Sequence, residues 1–309
     1  MAQRASSTSQ LPASSPLAAS ELAARGARSF WGDALRRLVR HNPLGFWGGA
    51  VILAVVVLAS VFAPMIQRAD PDFQDVRDVE AKPSLSHPFG ADHIGRDVFS
   101  RVVNGGRISL TVGILAVTLG IASASVIGLV SGYFGGAVDL IIQRIVDVMM
   151  AFPGLVLILM TVALFGSNMR NVILAIAIFI IAGPSRLIRA QVLSLKNQQF
   201  VEASQSIGAG HMRIMLQHIL PNMAHIIIVM ISINIGGAII LGASLSFLGL
   251  GVPPPAPTWG NMIAGPGSFY IRSAPWMVLF PGLVLSLTVY AFNMLGDALR
   301  DVLDPRLRS

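Results

Sequence analysis

The sequence predicts an all-α membrane protein with six transmembrane helices. Three observations carry that prediction. The chain is 54% hydrophobic and only 12% charged, with mean hydropathy +0.70, whereas a soluble domain carries about 25% charged residues. Six apolar stretches recur along it, each near the roughly 20 residues that cross a hydrocarbon core. Basic residues gather beside alternate stretches, as the positive-inside rule requires. That placement also accounts for the net charge of +7 without nucleic acid. Cysteine is absent, which excludes disulfides and thiolate chemistry.

Residues 1–29 are rich in Ala, Ser, Arg and Pro and read as a disordered cytoplasmic tail. Residues 30–45 place Arg36, Arg37 and Arg40 beside apolar residues at helical spacing. They read as an interfacial helix on the anionic inner leaflet, or as a positive anchor for the next span. The expected spans are 46–66, 108–130, 140–165, 171–190, 222–247 and 275–295. Between the first two lies a polar, acid-rich outer segment containing Asp70, Asp72, Asp75, Asp78 and Glu80. Its Asp92, His93 and Asp97 form a conceivable metal set, but a lone His between carboxylates in a loop is more often solvated.

Gly and Ser in the second span let helices approach closely in lipid. In the third span Arg144 and Asp147 stand three apart, so they share a helix face and form a candidate intramembrane ion pair. Phe152-Pro153-Gly154 is expected to kink that helix. Arg186 and Arg189 end the fourth span and are expected to snorkel to the cytoplasmic surface. After the fifth span, Pro253-Pro254-Pro255 cannot continue a helix. The loop that follows is expected to touch the membrane interface through Trp259 and Tyr270. Six spans place both termini inside the cell.

Residues 191–221 form the longest polar stretch in the second half of the chain. They read as two short helical pieces hinged at Ile207-Gly208-Ala209-Gly210, with Pro221 in the first turn of a new helix. The run Glu202-Ala203-Ser204, Gly208, His218-Ile219-Leu220-Pro221 resembles the cytoplasmic coupling-loop motif of binding-protein-dependent ABC importer permeases. Ser204 stands at the motif's second Ala. His218 departs from the general motif toward the oligopeptide, dipeptide and nickel branch. Gly95-Arg96-Asp97-Val98-Phe99-Ser100-Arg101, Pro254-Pro255-Ala256-Pro257-Thr258-Trp259-Gly260 and Leu295–Pro305 resemble that same branch. The resemblance covers roughly residues 30–309.

The resemblance implies the type I importer permease fold, with the coupling loop between helices 4 and 5. It implies residence in a bacterial cytoplasmic membrane. The implied partners are a second homologous permease chain, two P-loop ATPase subunits, an extracytoplasmic solute-binding protein and membrane lipid. Glu202, Ala203, Ser204, Gly208, His218, Leu220 and Pro221 are the implied ATPase-coupling residues. The implied cargo is a dipeptide or oligopeptide, with nickel or another small solute as the alternative.

The chain itself lacks a Gly-x4-Gly-Lys-Ser/Thr phosphate loop. Its two lysines, Lys82 and Lys196, do not follow glycine. No catalytic site, cofactor or metal is therefore expected, and ATP and Mg belong to the partner ATPases. His211, His218 and His225 recur every seven residues, but on one helix they stand about 10 Å apart, too far to share a metal. An ion-coupled carrier would need ionisable groups at mid-membrane. The centres of spans one, two, five and six have none.

Overall fold

The computed structural model describes residues 43–303. The predicted tail, residues 30–42 of the predicted interfacial helix and the end of the C-terminal signature lie outside the described residues. Helix α1 is Pro43–Val61, opened by a proline where no amide donor is needed. It is followed by a short turn, Ala63–Ile66. α2 is Val98–Phe134 and spans 37 residues. α3 is Gly136–Ala151, α4 Gly154–Phe165 and α5 Met169–Lys196. α6 is Gln199–Ser206, and α7 is the continuous helical run His211–Phe247. α8 is Trp259–Ile263 and α9 is Trp276–Leu303.

Among the described residues, α2, α5, α7 and α9 are long and apolar enough to cross a membrane. α3 and α4 supply a fifth crossing if they form one span. α1 is apolar but shorter over its fully described part, Phe46–Val61. The expected kink in the third span is a break: α3 and α4 meet at 96°. Phe152 is extended, with φ −87° and ψ 138°, because the ring of Pro153 disfavours the helical region for the residue before it.

Among the described residues the long helices build three apolar clusters, the largest around the middle of α2. α2 and α5 run in parallel and touch along Gly120, Ala124, Gly128 and Gly132 of α2. A Cβ on Gly128 would lie 2.6 Å from the Ser185 carbonyl oxygen, and one on Gly132 would lie 2.9 Å from Val192. Small residues at every fourth position thus let two backbones approach where lipid gives no hydrophobic drive between helices. Ala116, Val117, Ile121, Val172, Ile176 and Ile239 fill the buried centre. α7 and α9 run antiparallel to their neighbours, with Gly236 against Asn293 and Gly296 against Ile233.

This topology gives the bundle two differing ends. One carries residues 67–97 and the loop around α8; it is called the motif end. The other carries the α2–α3 turn, the C-terminus of α5 and the Gly208 hinge; it is called the hinge end.

Three boundaries differ from expectation for local reasons. α2 starts at Val98 instead of Ile108 because Asp97 caps it, accepting the Ser100 amide at 2.7 Å. That places the Gly-Arg-Asp motif at a helix start rather than wholly in a loop. The interval 131–139 between the second and third expected spans contracts to the junction around Gly135. α7 starts at His211, earlier than the expected span, and Pro221 stands as expected in the first turn of its α-helical part, Leu220–Phe247. The chain reaches it through a π-helical turn, Ile214–Ile219. The Leu220 amide bonds the Met215 carbonyl, five residues back. The Asn222 side chain donates to the His218 carbonyl at 2.6 Å. A wide turn with side-chain help absorbs the proline that would otherwise break the helix.

Candidate functional site

The hinge end gathers the segment singled out from sequence. α6 closes with the Gly208 amide donating to the Gln205 carbonyl at 2.9 Å and the Ala209 amide to the Ser204 carbonyl at 3.0 Å. This paired closure needs a left-handed residue just past the helix, and Gly208 sits at φ +80° with open space around it. α6 and α7 therefore meet at a hinge whose tip projects. Ile207 is 85% exposed and Met212 is 66% exposed, which leaves apolar side chains unpartnered beside the turn.

The other motif residues divide by face. Val201 and Ser204 are buried, and Glu202 and Ala203 are exposed. Ser204 satisfies its hydroxyl by donating to the Phe200 carbonyl at 2.7 Å, which lets a serine occupy a buried position where the motif has alanine. The Glu202 carboxylate makes no hydrogen bond or ion pair among the described residues. His218 and Leu220 are half-buried, and Pro221 is exposed.

Inward, Val201, Ile214, Met215 and Ile219 form one buried cluster with Leu129 and Tyr133 of α2 and Ile188 and Val192 of α5. The segment is therefore seated on two long helices, which the sequence did not reveal. Tyr133 is the centre of that seat. Its hydroxyl pairs with Nδ1 of His211 at 2.9 Å, and its carbonyl accepts from Lys196 Nζ at 2.6 Å. A buried tyrosine needs a partner for its hydroxyl, so these contacts tie the hinge to the ends of α2 and α5.

Arg144 and Asp147 do approach, at 3.6 Å, but both are substantially exposed. Asp147 pairs more closely with Arg186 of α5. Arg189 grips Asp139 through Nε at 2.6 Å, and Ser131 also donates to that carboxylate. Arg186 and Arg189 thus link α5 to α3 instead of snorkelling freely. Charges four or more helical turns apart in sequence carry no local signal, so these pairs were not legible beforehand.

The motif end brings together two of the other singled-out stretches, Gly95–Arg101 and Pro254–Gly260, while the stretch beginning at Leu295 lies in the far end of α9. Trp259 is fully buried; its indole donates to the Val102 carbonyl at 3.0 Å. It is a packing anchor on α2, not the interfacial residue expected. Tyr270 stacks on His93 instead, with ring centres 5.7 Å apart. Trp276 donates to the Ala91 carbonyl at 3.0 Å, and Arg101 reaches both Pro71 and Asp72.

His87 lies between two carboxylates, with Nδ1 3.0 Å from Asp97 and Nε2 3.2 Å from Asp78. Burial alone would lower its pKa. The hydrogen bonds and charges of Asp97 and Asp78 outweigh it and raise the pKa above the ordinary 6.5. Burial wins at His93, whose pKa is lowered. Asp92 bonds Arg96 and Asp97 bonds His87, so the conceivable Asp92–His93–Asp97 set is committed elsewhere. Among the described residues no group of three acidic, His or Cys side chains is placed to hold a metal.

Residues 124–309 match the family described as the binding-protein-dependent transport system inner membrane component. The chain belongs to that family. Residues 29–83 match the N-terminal transmembrane domain of oligopeptide transport permease C. The permease is 41% identical to the dipeptide transport system permease protein DppC of Alkalihalophilus pseudofirmus over 283 residues, covering 92% of both chains. It is 41% identical to the glutathione transport system permease protein GsiD of Pectobacterium atrosepticum, covering 92% of this chain and 94% of that one. It is 45% identical to the GsiD protein of an Escherichia coli strain, covering 91% and 92%. These relatives are transport subunits, and the apolar helices fit a multi-pass inner-membrane protein.

Proposed function

We propose that this permease is the transmembrane subunit of an ATP-driven importer and forms half of a pathway for small peptides. The observation that carries the reading is the projecting Gly208 hinge, seated on α2 and α5 and flanked by a free Glu202 carboxylate and exposed Ile207 and Met212. Such a surface is built to be covered by a partner. Family membership supports P-loop ATPases as that partner and a solute-binding protein at the opposite end. A second, homologous permease completes the pathway. ATP and Mg are held by the ATPases, and this chain supplies no nucleotide site.

The hinge end then faces the cytoplasm, with both termini, and the motif end faces outward. Six crossings follow, counting α1 with its flanking residues and counting α3 and α4 as one. Motion of the ATPases is passed through residues 191–221 to α2 and α5. The peptide class is supported by relatives named for dipeptide and glutathione transport. A nickel cargo has no such support.

Purification of the permease from its native membrane tests the reading. Co-purification of a second permease, P-loop ATPases and a solute-binding protein that retains peptide is the expected result. A chain that purifies alone, with no ATPase activity in the preparation, contradicts it.

A further inference from the structure

At the motif end the Gly95–Arg101 stretch and the loop from Pro254 through α8 close around a cavity of about 280 Å³. Its wall includes His93, Arg96, Arg101, Asn261 and Met262. The size lies just below the roughly 300 Å³ at which small-molecule sites begin, so it suits a ligand of two or three residues.

Its polar groups are unevenly committed. Asp92 is fully used: Oδ1 accepts the amides of Ile94 at 3.0 Å and Arg96 at 2.9 Å, and Oδ2 accepts Arg96 Nε at 2.6 Å. That grip fixes the Arg96 guanidinium while leaving Nη1 and Nη2 without a hydrogen bond among the described residues. Nδ1 of His93 is buried behind that wall, with no hydrogen-bond partner among the described residues. A held guanidinium with two parallel free donors matches a carboxylate. Arg101 adds a second positive wall, held by Pro71 and Asp72.

We propose that this cavity is a peptide subsite on the permease, in which Arg96 binds the C-terminal carboxylate of a di- or tripeptide. The assignment rests on the peptide-importer reading, which supplies the carboxylate.

The chain has no cysteine, so a Met262→Cys variant offers a single labelling site on it. Membrane vesicles carrying the whole importer are treated with a thiol reagent, and modification of this chain is followed by mass. Dialanine at ten times its dissociation constant is expected to slow labelling about tenfold, because only unoccupied sites react. Dialaninamide, which lacks the carboxylate, is expected to give no protection. Adding Arg96→Gln together with Asp92→Asn removes both charges while leaving a hydrogen-bonding pair. An unchanged labelling rate without peptide shows the cavity intact, and protection by dialanine should vanish.

Equal protection by dialanine and its amide overturns the proposal, as does protection that survives the double substitution. So does protection given by the solute-binding protein alone, which assigns the carboxylate to a partner side chain. Peptide uptake by the same vesicles is measured in parallel. Uptake without protection overturns this subsite and leaves the importer reading standing; absence of uptake overturns the importer reading itself.

Discussion

Gly208 carries the sharpest residue-level prediction. At φ +80° a residue with a Cβ is strained by roughly 1–2 kcal/mol, and proline cannot adopt that angle or supply the amide that Gln205 accepts. Gly208→Pro, or a bulky residue there, is expected to leave assembly intact but uncouple ATP hydrolysis from uptake. Normal peptide uptake per ATP in that variant would count against the coupling role. Tyr133 makes a second case: Tyr133→Phe keeps the packing but loses the bond to His211, and is expected to lower uptake per ATP more than ATPase activity.

His87 gives a pH dependence. Its pKa is raised in the folded protein, so its stabilisation is fully present below about pH 6.5, the ordinary value. It is lost as pH rises through the higher folded value. Hydrogen exchange of the amides around 90–97 should therefore quicken across that window, and His87→Gln should flatten the response. An unchanged pH profile in the variant would remove His87 as the cause. The Glu202–Pro221 pattern was legible as a motif because its residues are local. The pairings of Tyr133 with His211 and of Trp259 with Val102 join residues 78 and 157 positions apart, and no local pattern announces them.

Among the elements, the α2–α5 contact sets the frame. Gly128→Leu would drive a side chain into the Ser185 carbonyl and Ile188, and overpacking of this kind costs about 1–3 kcal/mol or more. The expected outcome is a steep loss of folded protein in membranes, read by detergent-resistant yield; normal yield would show that the helices can part. Trp259→Ala removes a fully buried side chain, at a cost of about 3–5 kcal/mol. It should expose the motif end to proteolysis before the hinge end.

Long apolar stretches made the helices easy to place, since composition alone marks them. Their ends were harder. Asp97 extended α2 by capping it, and Pro153 turned an expected kink into a 96° break. Pro221 reads as a helix start and does open the α-helical part of α7, but the π turn that joins it to the residues before it, through Met215 and Asn222, carries no local signal.

For the whole molecule, the two ends have different chemistry. The hinge end presents a projecting turn with free apolar and acidic side chains, and the motif end folds two polar stretches over a cavity. Between them, among the described residues, the buried centre is lined by apolar side chains. The proposed function takes the energy of transport from partner ATPases, and the account stands or falls on it. The decisive measurement is dipeptide uptake into liposomes holding either this permease alone or the assembly co-purified with it. Uptake only by the assembly, and only with ATP, is the predicted result. Uptake by the permease alone, without ATP, would contradict the account and make this chain a self-sufficient carrier.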